Sequence, residues 1–116
     1  MLSLTKLVVA LSCTLGYVLA FDGEITYYTP GLGSCGETST DSDAVVALSP
    51  SQFSQVPDAC GKTIDITLGA TTVKAKVVDK CPACASGSID VSSTVFQSLA
   101  PLTEGRAKIS WTYEGS

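Results

Sequence analysis

The run Lys62-Thr63-Ile64-Asp65-Ile66-Thr67-Leu68-Gly69-Ala70-Thr71-Thr72-Val73-Lys74-Ala75-Lys76-Val77-Val78-Asp79 has a period of two. Ile64, Ile66 and Leu68 alternate with Asp65 and Thr67. After a turn at Gly69-Ala70, Val73, Ala75 and Val77 alternate with Lys74 and Lys76. That pattern predicts two strands with one packed face and one wet face. Lys74 and Lys76 then read as solvated edge positions rather than ligands.

The sequence on either side agrees with a β fold. Glu24-Ile25-Thr26-Tyr27-Tyr28 predicts a strand, ended by Pro30-Gly31-Leu32-Gly33. Tyr27 and Tyr28 fall on opposite faces, so one is expected in the core and one outside. Residues 33–42 form a polar loop around Cys35, and Ala44 to Leu48 is an apolar run too brief to establish a helix. Ser49-Pro50-Ser51-Gln52-Phe53 predicts one or two helical turns, with Ser49 as cap, Pro50 in the first turn and Gln52 completing a capping box. Ser92 or Ser93 is expected to cap a second short helix. In it Val95, Phe96 and Leu99 share a face, and Pro101 stops it. Ala107 to Tyr113 gives a last strand with Ile109 and Trp111 pointing the same way, Trp111 into the core. Several short strands with two minor helices fit a small closed barrel.

The chain has 116 residues, which limits it to one domain. Residues 1–20 are set apart from it. Lys6 supplies a positive start, Leu7 to Leu19 an apolar stretch, and Val18-Leu19-Ala20 a small-residue cleavage site before Phe21. This predicts a secretory signal peptide and a domain over 21–116. A membrane anchor is the competing reading, but Ser3, Thr5, Lys6, Ser12 and Thr14 interrupt the segment, and a span needs about 20 apolar residues. Removing the leader takes away Lys6 and no acid, so the formal charge of −4 becomes −5.

Cys13 leaves with the leader, and Cys35, Cys60, Cys81 and Cys84 remain. In an exported chain four cysteines predict two disulfides. A four-thiolate zinc site is the alternative, yet only one Cys-x-x-Cys is present where two are expected. With no histidine, Ser-His-Asp and Cys-His nucleophile systems and His-ligated metals are excluded. With no asparagine there is no N-glycosylation sequon. Acidic balance without a basic run argues against nucleic acid and anionic membrane as partners. A neutral polyhydroxylated ligand fits better.

Three further segments stand out: Thr26-Tyr27-Tyr28, Val77-Val78-Asp79-Lys80-Cys81-Pro82-Ala83-Cys84, and Ser88-Ile89-Asp90-Val91-Ser92. With the Gly-x-Cys-Gly loop and Ala59-Cys60-Gly61 they occur in the order found in the rare lipoprotein A-like double-psi β-barrels. That barwin-related family includes expansins and the small loosenins, and the chain resembles it over nearly its whole length after the leader. The resemblance implies a six-stranded, disulfide-stapled double-psi barrel with one or two short helices. It also implies the pairing Cys35–Cys60, which leaves Cys81–Cys84. In expansin-like members two acids lie in a polysaccharide groove; Asp79 and Asp90 stand at those positions, and Thr26 and Tyr28 match its Thr-x-Tyr.

Elementary chemistry gives the same residues a purpose. A carboxyl beside apolar Val78 or Ile89 can be desolvated, its pKa raised, and a proton offered to a glycosidic oxygen. Aromatic faces suit the C–H faces of a sugar ring. The plainer readings are structural: Asp79 capping backbone N–H groups in a turn, and Asp90 serving the helix that follows. Thr29-Pro30 stands where related endoglucanases carry a general base, and Cys81 where some bacterial relatives carry a tyrosine. Hydrolysis with inversion needs two carboxyls, so the resemblance implies little or no turnover.

The leading expectation is therefore a secreted, extracellular, monomeric protein that needs no cofactor. It binds and loosens cell-wall polysaccharide (cellulose, chitin or peptidoglycan) without cutting it. The barrel alone, with no second carbohydrate-binding domain, matches the loosenins. The alternatives are a barrel that binds a host or target protein, as cysteine-protease inhibitor or effector, and a weak lytic enzyme using Asp90 as acid.

Overall fold

The computed structural model describes residues 19–115. The leader expected over 1–20 lies outside the described residues except for its last two. Six strands close into a barrel: β1 (Ala20–Tyr28), β2 (Val45–Leu48), β3 (Thr63–Leu68), β4 (Thr71–Lys80), β5 (Ile89–Ser92) and β6 (Ala107–Tyr113). Two short helices, α1 (Pro50–Gln55) and α2 (Ser93–Leu99), and a 3-10 turn at Leu102–Glu104 complete it. Around the barrel the order is β1-β5-β2-β4-β3-β6. Pairs β1–β5 and β2–β4 are parallel, and the other four pairs are antiparallel. This is the mainly β, six-stranded closed barrel that the sequence predicts.

The 62–79 run forms the hairpin β3–β4, with Asp65 opposite Lys74 and Ile66 opposite Val73. Its apolar positions Ile64, Ile66, Ala75 and Val77 are buried and meet Ile25, Ile89, Val91, Ile109 and Trp111 in one core. Lys74 and Lys76 are solvated, but they do not sit at an edge, because closure leaves none. Lys74 bridges Asp65 and Glu114, and Lys76 meets Glu37 at 2.9 Å. The apolar run before Ser49 is strand β2, paired on its two edges by β4 and β5 and buried along its whole length.

Three local expectations are corrected. Ser49 precedes α1 but makes no side-chain cap; it is fully buried and its hydroxyl meets that of Ser51 at 3.0 Å. Gln52 turns into the interior instead of back to the helix start, and neither amide atom meets a protein partner. Ser92 precedes α2 without capping it. Its Oγ donates to the carbonyl of Asp43 at 2.6 Å, which ties the end of β5 to the start of β2.

Both disulfides have the expected pairing. Cys35–Cys60 spans 25 residues and holds the 33–36 loop to the turn before β3; Cys81–Cys84 spans three. Trp111 is buried, stacks on Phe21 at 4.4 Å between ring centroids and donates from Nε1 to the carbonyl of Gly87 at 2.9 Å. Gly87 adopts φ +86°, where a Cβ would stand 2.2 Å from the Asp22 carbonyl oxygen. Only glycine fits both requirements.

Candidate functional site

Along β1 the buried residue is Ile25, so Glu24, Thr26 and Tyr28 share the outer face. Register then sets one row across four strands. Thr26 pairs with Asp90, Asp90 with Ala47, and Ala47 with Asp79. Ala47 is small and buried, and it forms the floor between the two acids. The acids stand two strands apart, about 10 Å between backbones.

Asp79 reaches this row through an irregularity. Straight alternation from Val73, Ala75 and Val77 would send Asp79 into the core. The register between β2 and β4 shifts instead, so that Val46 pairs with Val77 and Ala47 with Asp79. Val78 is the extra residue, and both valines are buried. A β-bulge of this kind re-aims the side chain that follows it. The 33–36 loop occupies the flank of β4 that β3 leaves: the Cys35 N–H donates to the Val78 carbonyl at 3.2 Å, and the Ser34 N–H donates to Asp79 Oδ1 at 2.8 Å. The Lys80 N–H donates to the same oxygen at 2.8 Å. The backbone-capping reading of Asp79 is therefore realised, alongside its place in the row.

Asp90 is bound differently. Thr26 Oγ1 donates to its Oδ1 at 3.0 Å, and neither it nor any other side chain makes a capping hydrogen bond to α2. Burial pushes its carboxyl above the ordinary 3.8. The Thr26 hydrogen bond and the positive charge of Arg106 oppose that shift, while Asp79 adds to it. Tyr28 is pushed up to about 12 by burial, then by the negative charges of Asp79 and Asp90. Its phenol is thus a neutral hydrogen-bond donor at any working pH. Tyr27 points the other way, but not into the core; it rests on Phe96 at 4.8 Å and donates from its hydroxyl to the Leu102 carbonyl at 3.0 Å.

A hollow of about 270 Å³ opens beside Asp90, walled by Thr26, Glu24, Arg106 and the Cys81–Cys84 bridge. Glu24 and Arg106 were not picked out from sequence. Glu24 was legible in principle, since it continues the period of Thr26 and Tyr28. Arg106 comes from far along the chain and pairs with Glu24 at 3.0 Å. A broader hollow of about 790 Å³ lies across β1, β6 and β3 and shares Glu24 and Ser88 with the first. It holds neither Asp79 nor Asp90. The smaller hollow is the better site, because polar groups and a desolvated carboxyl converge there. Among the described residues no three His, Cys, Asp or Glu side chains are grouped to hold a metal. No described helix is long and apolar enough to cross a membrane.

A closed six-stranded barrel with two parallel pairs defines a fold class, and known proteins share that fold. The Streptomyces mobaraensis papain inhibitor is 32% identical over 99 residues, covering 78% of this chain and 69% of that protein. The structure of Streptomyces papain inhibitor superposes with a TM-score of 0.72 at 31% identity, covering 82% of this chain and 94% of that one. Clavibacter michiganensis expansin gives a TM-score of 0.72 at 28% identity, covering 82% of this chain but 50% of its own. A variant of that expansin has been crystallised with cellohexaose. The Aspergillus fumigatus allergen Asp f 7 is 37% identical over 98 residues, of which this chain spans 36% of the length. No protein-family model matches the chain. The chain belongs to the expansin-like, barwin-related family of double-psi β-barrels.

Proposed function

We propose that this is a secreted protein whose outer face, at Thr26, Tyr28, Asp90 and Asp79, binds a neutral cell-wall polysaccharide and loosens it without hydrolysis. The observation that carries the reading is the unequal commitment of the carboxyls. Asp90 is desolvated and faces the hollow, so it can hold a proton and donate it to a sugar oxygen. Asp79 already accepts two backbone N–H bonds, and Glu24 is paired with Arg106. Neither is a free base placed to activate water, which inverting hydrolysis requires. The cellohexaose complex of the expansin supports a β-glucan as ligand.

The test is a pull-down against cellulose, chitin and peptidoglycan with reducing-sugar release measured in parallel. Binding without release is the expected result. Release would show a lytic enzyme, and no binding to any of the three would remove the reading.

The papain-inhibitor relatives favour a second reading, a cysteine-protease inhibitor, because this chain spans most of their length. Its own observation is a loop outside the row: Leu32, exposed to 76%, on a tightly held segment.

A further inference from the structure

The segment between β1 and β2 is short of regular structure yet held at many points. Leu32 and Thr38 form an isolated antiparallel bridge. Within the segment the Gly33 N–H donates to the Glu37 carbonyl, the Gly36 N–H to the Gly33 carbonyl and the Ser39 N–H to the Gly31 carbonyl, each at 2.9 Å. Outward ties run from Cys35 to Cys60, from the Cys35 N–H to the Val78 carbonyl, from the Ser34 N–H to Asp79, and from Glu37 to Lys76. Pro30 and Ser39 are buried at the two ends. Gly33 lies so close to β4 that a Cβ there would stand 2.2 Å from the Val78 carbonyl oxygen.

This rigid frame presents one apolar side chain to solvent. The exposed large hydrophobics among the described residues are Leu19, Tyr27 and Leu32, and Leu32 is the most exposed of them. Tyr27 is accounted for by Phe96 and Leu102, whereas the Leu32 side chain lies outside the core cluster and its role in the loop is through its backbone bridge to Thr38. A single exposed leucine is ordinary on a protein surface. One fixed at the base of a braced turn, in the bridge to Thr38, differs, because its ordering cost is met before any partner arrives. Gly33 is buried against β4, but Gly31 on the other side is exposed with open space around it, so a partner can approach Leu32 from the Gly31 side.

We propose that the exposed Gly31-Leu32 segment is a protease-docking site, with Leu32 as the anchor that fills an apolar side-chain pocket in the cleft of a papain-like cysteine protease. This rests on the inhibitor reading. It assigns the contact to the loop rather than to the Asp90 hollow. Asp79 then acts as a positioning residue for the loop, through the Ser34 N–H.

The experiment measures inhibition of papain by the full secreted protein, by Leu32→Ala, by Leu32→Glu and by Asp90→Asn, with a melting curve for each. Expected are inhibition by the wild type, a loss of at least about tenfold for Leu32→Ala, which is about 1.4 kcal/mol, and near-complete loss for Leu32→Glu. Asp90→Asn should inhibit like the wild type, and the melting temperatures of both Leu32 variants should be unchanged. A wild type that inhibits while both Leu32 variants match it overturns the loop assignment and leaves the inhibitor reading standing. A wild type that does not inhibit papain overturns both.

Discussion

Asp90 is the residue on which the polysaccharide reading turns. Its carboxyl is raised by burial, and the charged or titratable neighbours are Arg106, Asp79, Tyr28 and Glu24. An unfolded chain returns it to the ordinary value of 3.8. Between that value and the raised one the folded state holds a proton that the unfolded state has released. Stability contributed by this group therefore rises as pH falls through the raised value, and it is lost at higher pH, where a half-buried charge must be carried. Asp90→Asn should erase that part of the pH slope and melt no lower than wild type at neutral pH. Loosening should decline in wild type as pH rises through the raised pKa, because the donor form disappears. In Asp90→Asn it should be absent at all pH values, since the amide has no carboxyl proton to give. Filter-paper weakening across a pH series reads both effects; retained loosening in the variant would remove Asp90 from the mechanism. Asp79→Asn should reduce loosening less.

Two disulfides serve different elements. Cys35–Cys60 joins the loop on β4 to the turn before β3 and closes 25 residues. The chain-entropy relation gives it roughly 3 kcal/mol. Cys81–Cys84 closes three residues, for which the same relation gives roughly 2 kcal/mol at most. Replacing both members of the first pair by serine should therefore lower the urea midpoint further than replacing the second pair. The second replacement should instead weaken polysaccharide binding, because Cys81 and Cys84 wall the hollow beside Asp90. Equal binding by the Cys81/Cys84 double variant would show that this wall does not touch ligand.

The barrel as a whole depends on closure between β1 and β6, and Trp111 is its keystone. The indole stacks on Phe21, meets Tyr113 edge-on at 5.1 Å and fixes the Gly87 turn through its N–H. Trp111→Ala should cost about 3–5 kcal/mol, enough to unfold a marginal small domain. Trp111→Phe keeps a ring but leaves the Gly87 carbonyl unpaired, at about 1–3 kcal/mol. Denaturant titration separates the two, and an alanine variant as stable as wild type would contradict the closure argument. Processing belongs at this scale too. A cut before Phe21 would trim only the Ala20–Thr112 pair from β1 and keep Phe21 on Trp111. N-terminal sequencing of the secreted product should begin at Phe21, and an exported product beginning at Met1 would refute the leader.

Sequence by itself determined the elements that follow a simple period. The 62–79 hairpin, the last strand with Trp111 inward and the α2 face of Val95, Phe96 and Leu99 need only alternation and burial of apolar side chains. The order of short motifs carried the family, the disulfide pairing and the four candidate site residues Thr26, Tyr28, Asp79 and Asp90. What it could not supply is whatever depends on a partner strand. The apolar 44–48 run becomes a strand because β4 and β5 close over both its sides. The serine hydroxyls at 49 and 92 and the Gln52 amide are drawn away from helix caps by where burial leaves them. Above all, the bulge at Val78 decides that Asp79 faces outward. Extended by one more step, the alternation of Val73, Ala75 and Val77 buries that carboxylate, and only the register against Ala47 turns it to the row that holds Asp90. A one-residue slip reverses the face of every side chain beyond it, and slips are set by pairing, which no single strand encodes.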